Sequence, residues 1–156
     1  MSTAKNIFLS DDDIDDRLFF KSAFEEVCCG HSLSLFENNT HLLEQLNQED
    51  TSLPDIVFID LNMPMINGLE CLRLIREIPR LKNLPVIVYS TIRSEVFIEE
   101  VRTLGAAHFI KKPYDFYELV NLIKYVVEID WSNQADTLPF EDFVLTFNSI
   151  KRSIKL

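Results

Sequence analysis

The chain has 156 residues, 47% of them hydrophobic, and a formal net charge of -10. This length fits one domain with a sizeable core, and the composition lacks the biases of disordered, collagen-like or coiled-coil chains. The negative charge repels phosphate backbones, which argues against nucleic-acid binding, and it suits a site that collects a divalent cation. We find no signal-peptide pattern and no apolar run long enough to span a membrane, so we expect a cytoplasmic protein.

Short apolar runs alternate with amphipathic stretches along the chain. The runs that predict strands are residues 6–10, 33–36, 55–60, 85–90 and 108–111. Residues 56–59 and 86–89 are apolar at successive positions, which is typical of strands buried on both faces. The three cysteines, Cys28, Cys29 and Cys71, have neither a disulfide framework nor zinc-ligand spacing, so we expect ordinary thiols in a reducing compartment.

Helices are predicted between these runs, at residues 15–27, 40–46, 68–78, 94–104 and 114–129. The apolar stripes expected to face the core are Leu18, Phe19, Ala23 and Val27; Leu69, Leu72, Ile75 and Ile78; Val96, Phe97, Val101 and Leu104; and Leu119, Leu122, Ile123 and Val126. Five strand-helix pairs joined by right-handed crossovers build a parallel sheet with helices on both faces. Ligands of such a sheet bind beyond the carboxyl ends of the strands.

Acidic residues follow two of the predicted strands. Asp11, Asp12 and Asp13 come directly after the first strand, and Asp60 ends the third. Because neighbouring strand ends of a parallel sheet lie close together, these carboxylates converge, and converging like charges are costly unless a cation neutralises them. An all-oxygen, carboxylate-rich pocket suits Mg²⁺.

Two further polar residues occupy the same edge of the predicted sheet. Ser90 ends the fourth strand, and Lys112 follows the fifth. A carboxylate, a cation site, a hydroxyl and a lysine in one hollow suit phosphoryl transfer. Asp15 and Asp16 fit a solvated helix N-terminus, where acidic residues are favoured.

From about Lys5 to Val127 the chain resembles the receiver domain of response regulators. The matching residues are Asp11-Asp12, Asp60-Leu61-Asn62-Met63-Pro64, Gly68, Ser90-Thr91, Gly105-Ala106-Ala107 and Lys112-Pro113. The resemblance implies an α/β, flavodoxin-like, doubly wound sheet of five parallel strands in the order 2-1-3-4-5 with five flanking helices. We expect this domain to comprise residues 1–129. Residues 130–156 would then form an extension, either a helix or strand packed on the core or an arm that docks on a partner.

The resemblance also assigns roles at the strand ends. Asp60 would be the nucleophile that becomes an acyl phosphate, and Lys112 would pair with Asp60 and then with the phosphoryl group. Asp12 would ligate Mg²⁺ directly and Asp11 through a metal-bound water, together with Asp60 and the backbone carbonyl of Asn62. The domain would assist its own phosphorylation without acting as an enzyme on outside substrates.

The remaining family positions concern the switch. Ser90 would move its hydroxyl onto the phosphoryl group, Phe109 would be the aromatic switch residue, and Pro113 would follow a cis peptide bond. Thr91 stands where a small residue is usual and would narrow access to the phosphoryl group. Ile92 is apolar where the family often controls attack by water, so we expect a long phosphorylated lifetime. The output face would be the fourth helix, fifth strand and fifth helix.

Partners follow from the same resemblance. We expect a histidine kinase or a phosphotransfer protein as the phosphodonor. No output domain is recognisable after the fifth helix, so output is expected through protein contacts, and a homodimer through the output face stays open. The long region 69–84 and the extended C-terminus resemble the single-domain regulators that pair with phytochrome-type kinases.

Two other functions were weighed. A phosphohydrolase with an aspartyl nucleophile would need a second acid two residues after Asp60, where this chain has Asn62, and a Thr where it has Pro64. A pseudo-receiver would act as a protein-interaction module without phosphorylation. The complete set of acidic residues argues against a pseudo-receiver. A phosphorylation assay decides between a pseudo-receiver and a receiver that is phosphorylated.

Overall fold

A parallel sheet of six strands forms the centre of this computed structural model, which describes residues 4–27, 30–63, 65–133 and 138–152. Its strands are β1 (Asn6–Ser10), β2 (Ser32–Phe36), β3 (Ile56–Ile59), β4 (Val86–Ser90), β5 (His108–Lys111) and β6 (Val144–Leu145), in the order β2-β1-β3-β4-β5-β6. The predicted α/β class and the order of the first five strands are confirmed, whereas β6 was not predicted. Cys28, Cys29 and Pro64 lie outside the described residues.

The helices agree with the predicted ranges to within two residues at each end. They are α1 (Ile14–Val27), α2 (Asn39–Leu46), α3 (Gly68–Glu77), α4 (Glu95–Thr103) and α5 (Phe116–Glu128), followed in the extension by the short helices α6 (Phe140–Phe143) and α7 (Phe147–Lys151). Side chains of Asn38, Asn67 and Asp115 accept a hydrogen bond from a backbone N–H three residues on and so cap α2, α3 and α5. Among the described helices, none has the length and apolar character that a membrane crossing requires.

Two apolar cores cover the two faces of the sheet, which explains the uninterrupted apolar runs. In β3, Ile56 and Phe58 pack on the side of α1 and α5, whereas Val57 and Ile59 pack on the side of α2, α3 and α4. A residue on either face is therefore removed from water, and each fully buried aliphatic side chain contributes roughly 1.5–3 kcal/mol of transfer free energy.

The predicted core stripes were right in part in two helices: Ala23 and Val101 are buried, whereas Leu18, Val96 and Phe97 are exposed. On α1, Phe20 is buried against the rings of Phe58 and Tyr89, at centroid distances of 5.0 and 5.5 Å, and Leu18 is 52% exposed. Because the sequence of α1 contains two overlapping apolar stripes, the contact with the sheet decides which one faces inward. On α4, Val96 and Phe97 are exposed, and the buried stripe runs through residues 98 and 101.

The C-terminal extension packs on the outer edge of β5. Phe109 of β5 is in register with Val144 of β6, and Ile110 with Leu145, in a parallel pairing. The Arg102 side chain of α4 donates to the backbone carbonyl of Leu138 at 2.9 Å. Edge strands expose unpaired backbone groups, and β6 covers the two central residues of the edge that β5 would otherwise present.

His108 joins β5 to this extension. Its Nδ1 lies 3.0 Å from the backbone carbonyl of Phe143, and because a carbonyl only accepts, Nδ1 carries the proton. The ring also stacks on Phe143 and meets Trp131 edge-on, at centroid distances of 6.4 and 6.0 Å. Burial lowers the pKa of His108 and outweighs the opposing effect of the Phe143 carbonyl.

This lowered pKa makes the stability of the protein depend on pH. The unfolded chain binds a proton at His108 more readily than the folded protein does. The free energy of unfolding therefore falls as the pH drops below 6.5, the ordinary pKa of histidine. The fall ends once the pH is below the pKa of His108 in the folded protein. We predict that His108→Gln flattens this fall between about pH 7 and pH 5. Urea unfolding across that range measures it, with exposed His41→Gln as the control. Parallel curves for wild type and His108→Gln would contradict the prediction.

Candidate functional site

Backbone hydrogen bonds between neighbouring strands bring four polar residues to one edge of the sheet. The N–H of Asp60 donates to the carbonyl of Ser10 at 3.1 Å, so Asp60 lies beside the residue that precedes Asp11. The N–H of Lys112 donates to the carbonyl of Ser90 at 2.9 Å. Parallel pairing of β1 with β3, and of β4 with β5, therefore places these side chains around one hollow.

The Lys112 ammonium lies between three carboxylates in this hollow. Its Nζ is 2.7 Å from Asp11 Oδ2, 2.7 Å from Asp16 Oδ2 and 2.8 Å from Asp60 Oδ2. An ammonium has three protons to donate, so these three contacts use all of them. Asp11, Asp60 and Lys112 are all buried.

Burial and pairing act in opposite directions on these groups. Burial alone would lower the pKa of Lys112, but its hydrogen bonds to Asp11, Asp16 and Asp60 raise that pKa above its ordinary value. For Asp11, burial raises the pKa more than the contact with Lys112 lowers it. Lys112 is thus firmly charged, and Asp11 bears part of the desolvation cost of the cluster.

The acidic residues also meet the requirements of a magnesium site. Carboxylate oxygens of Asp11, Asp12 and Asp60 all lie within 4.8 Å of one another. The donors are oxygens, which Mg²⁺ prefers, and Asp12 is exposed, which leaves room for the waters that Mg²⁺ retains. These three side chains fit the ion, and when bound it would neutralise charge on phosphoryl oxygens.

The loop after β3 contacts Asp60 and fixes its position. The N–H of Asn62 donates to Asp60 Oδ1 at 3.2 Å, and the Asn62 side chain is exposed. A Cβ on Gly68 would lie 2.5 Å from the carbonyl oxygen of Asp60, so only glycine lets α3 begin this close to the backbone of Asp60.

A chain of buried polar groups fixes the same loop from the other side. Ser10, to which the sequence analysis assigned no role, donates through Oγ to Asn39 Oδ1 at 2.8 Å. The amide nitrogen of Asn39 in turn donates to the carbonyl of Ile66 at 3.0 Å. Both polar side chains are fully buried, so this chain ties the end of β1 to the start of α2 and to the loop that follows Asp60.

Sequence reasoning missed two residues of α1 that contact the site. Asp16 was expected only to be solvated, yet its carboxylate binds Lys112. Arg17 donates to the backbone carbonyl of Asp11 at 2.7 Å. The spacing contained a signal for Asp16, since it lies four residues before Phe20, which faces the sheet.

The remaining predicted positions lie around the hollow. Ser90 and Phe109 are fully buried, and Ser90 Oγ accepts from the backbone N–H of Ile92 at 3.3 Å. Thr91 is exposed and Ile92 is half-buried. The prediction of a cis peptide bond before Pro113 was wrong. This bond is trans, the intrinsically favoured isomer, and Lys112 contacts Asp60 while the bond is trans.

Comparison with known proteins identifies the family. The family model for the response regulator receiver domain matches residues 7–124. The chain belongs to this family. Receiver domains are signalling modules that interact with histidine kinases or phosphotransfer proteins in two-component systems.

Sequence relatives share this domain within longer proteins. The transcriptional regulatory protein DegU of Brevibacillus brevis is 33% identical over 93 residues, which cover 59% of this chain and 36% of DegU. The CAI-1 autoinducer sensor kinase/phosphatase CqsS of Vibrio cholerae is 30% identical over 120 residues, or 76% of this chain and 17% of CqsS. The matched region therefore covers 36% of DegU and 17% of CqsS, so most of each relative lies outside it.

Structural neighbours include proteins of this chain's own size. The phosphorylated cyanobacterial phytochrome response regulator RcpA has a TM-score of 0.73 and 29% identity, covering 88% of this receiver chain and 99% of RcpA. The Mn²⁺-bound form of the response regulator Rcp1 has a TM-score of 0.71 and 25% identity, with 86% and 99% covered.

The carboxylate cluster makes Lys112 essential to stability when Mg²⁺ is absent. We predict that Lys112→Met lowers the free energy of unfolding by about 3 kcal/mol, because it leaves Asp11 and Asp60 buried without a cation. Added MgCl₂ should reduce this loss. Urea unfolding followed by Trp131 fluorescence measures both effects. Lys124→Met, on the exposed face of α5, is the matched control, and equal losses in the two variants would refute the prediction.

Proposed function

We propose that this receiver domain is a stand-alone response regulator of a two-component phosphorelay, phosphorylated on Asp60 by a histidine kinase with Mg²⁺ as cofactor. The observation that carries the proposal is the contact of Lys112 with Asp60 at 2.8 Å inside a cluster of carboxylates that fits a divalent cation. Asp11, Asp12, Asp60 and the backbone carbonyl of Asn62 are the proposed metal ligands.

The chemistry follows from these positions. An oxygen of the Asp60 carboxylate attacks the phosphorus of a phosphohistidine, a P–O bond forms, the P–N bond breaks, and the imidazole leaves with its electron pair. Lys112 already contacts Asp60 and is charged, so its ammonium can follow the negative charge onto the phosphoryl oxygens. The Ser90 hydroxyl, which now accepts from Ile92 N–H, would turn its proton towards the same oxygens.

We propose an output surface that differs from the one that the resemblance implied. The outer edge of β5 is paired with β6, and Phe109 is fully buried beside Val144. A Phe109 ring that moved outward would have to displace the extension. We therefore propose that partners contact α4, α5 and the extension, which together form the surface on that side of the sheet.

The proposed partner is a kinase of the phytochrome type. RcpA, which is described as a phytochrome response regulator, is covered over 99% of its length by this chain. Rcp1 was described with Mn²⁺ bound, which supports a divalent cation as cofactor. We also propose that the protein acts in the cytoplasm.

Phosphorylation of Asp60 is directly testable. Incubation with acetyl phosphate and MgCl₂ should add one phosphoryl group to the wild-type protein, measured by intact-mass spectrometry. Asp60→Ala should gain none, and omission of MgCl₂ should slow the reaction. If wild type gains no phosphoryl group under any condition, the protein is a pseudo-receiver and acts as an interaction module.

Ile92 is predicted to control how long Asp60 stays phosphorylated. Its side chain is half-buried, and its backbone N–H is bound to Ser90 Oγ at the edge of the site, so its hydrocarbon should hinder water from attacking in line. Ile92→Glu or Ile92→Asn should therefore speed phosphate loss, whereas the apolar control Ile92→Val should leave the half-life nearly unchanged. Decay that is unchanged or slower in the polar variants contradicts the role of Ile92.

A further inference from the structure

A cleft of about 310 Å³ lies on the side of β5 that carries the extension. Strand β5 contributes Lys111, the β5–α5 loop contributes Tyr114, the loop after β4 contributes Arg93, and the extension contributes Thr146 and Phe147. The extension therefore completes the cleft, whose lining also includes Lys112 and Pro113 from the edge of the phosphorylation site.

The polar lining of the cleft favours an anionic ligand. Neither Arg93 nor Lys111 has an ion pair with any carboxylate of the described residues, in contrast to Arg73, Arg102 and Lys112, which are paired. Glu118, on the α5 wall, is the one carboxylate among the described lining residues. In a chain with a net charge of -10, two unpaired cations in one cleft form a local site for negative charge.

The apolar lining indicates what carries that negative charge. Phe147 and Tyr114 line the cleft together with Leu122, which is itself buried, and Tyr114 is 90% exposed. Tyr117 is 57% exposed and packs edge-on against Phe147 at a centroid distance of 5.7 Å. A free inorganic anion would leave this aromatic surface unused, and a nucleic acid would be repelled by the acidic chain.

We infer that this cleft binds a peptide segment of a downstream partner in which Asp or Glu residues flank an aromatic or aliphatic side chain. The acidic residues would pair with Arg93 and Lys111, and the apolar side chain would pack on Phe147 and Tyr114. This inference rests on the proposed function, because it names the class of partner that reads the domain.

Lys112 connects this cleft with the phosphorylation site. Lys112 lines the cleft, and its Nζ lies 2.8 Å from Asp60 Oδ2. A shift of Lys112 towards a phosphoryl group therefore moves a wall of the cleft, so the dissociation constant of the peptide changes when Asp60 is phosphorylated.

The test uses the full chain and a fluorescein-labelled peptide of sequence GDEFDLED, with GDESDSED and GKKFKLKK as comparison peptides. Fluorescence anisotropy measures the dissociation constants at low salt. GDEFDLED should bind more tightly than either of the others. The double variant R93E/K111E should weaken binding by about tenfold, because two attractive contacts become repulsive. Glu118→Gln should tighten binding, since it removes the opposing carboxylate.

The matched control is K82E/K124E, which changes the net charge equally at two exposed lysines outside the cleft. Equal weakening in the two double variants would mean long-range charge alone and would overturn the cleft. Absence of binding to wild type overturns it as well. A wild-type dimer that R93E/K111E dissociates, seen by sedimentation equilibrium, would assign the cleft to a second copy of this chain and against a peptide partner.

Failure of the cleft and failure of phosphorylation are distinguishable. Unphosphorylated wild-type protein should already bind GDEFDLED, because that binding needs no phosphoryl group. The peptide affinity of wild type is then compared with and without acetyl phosphate, after intact mass has established the degree of phosphorylation. An affinity that is identical in fully phosphorylated and unphosphorylated protein overturns the coupling through Lys112.

Discussion

The contact of one buried ammonium with three carboxylates is the constraint on which the rest of this structure depends. Asp11 and Asp60 occupy adjacent strand ends because β1 pairs with β3, and their charges would repel strongly in a buried setting without Lys112. Lys112 directly follows β5, which β4 separates from β3, so the cluster couples strands that do not pair with each other. A ligand that draws Lys112 away from Asp11 must supply another positive charge, because a buried carboxylate without a cation destabilises the fold.

The extension is connected to this cluster through β5. Consecutive residues of β5 each contact it: the His108 ring binds the Phe143 carbonyl, and Phe109 and Ile110 are in register with β6. Two residues further on, Lys112 contacts Asp60. A displacement at Lys112 can therefore pass along five residues of continuous backbone to the extension, without a separate pathway through the core.

The sequence predicted those parts of the fold that depend on local pattern. Continuous apolar runs gave the two-sided burial of β3 and β4, and acidic or basic residues directly after the strands gave the members of the site. It did not predict β6, because two residues have no readable period and their pairing depends on the free edge of β5. Asp16 was missed for a related reason: the inward face of α1 is chosen by the contact of Phe20 with the sheet, and two stripes compete in the sequence.

The polar chain from Ser10 through Asn39 to Ile66 explains how the loop after Asp60 keeps its shape. Met65 has a φ of 66° and is 76% exposed, so its backbone takes the left-handed conformation without packing to hold it. That conformation costs roughly 1–2 kcal/mol in a residue other than glycine. The hydrogen bond from Asn39 to the carbonyl of the next residue, Ile66, offsets part of this cost, and Ser10 satisfies the Asn39 oxygen. Ser10 therefore supports the loop that follows Asp60 through its contact with Asn39.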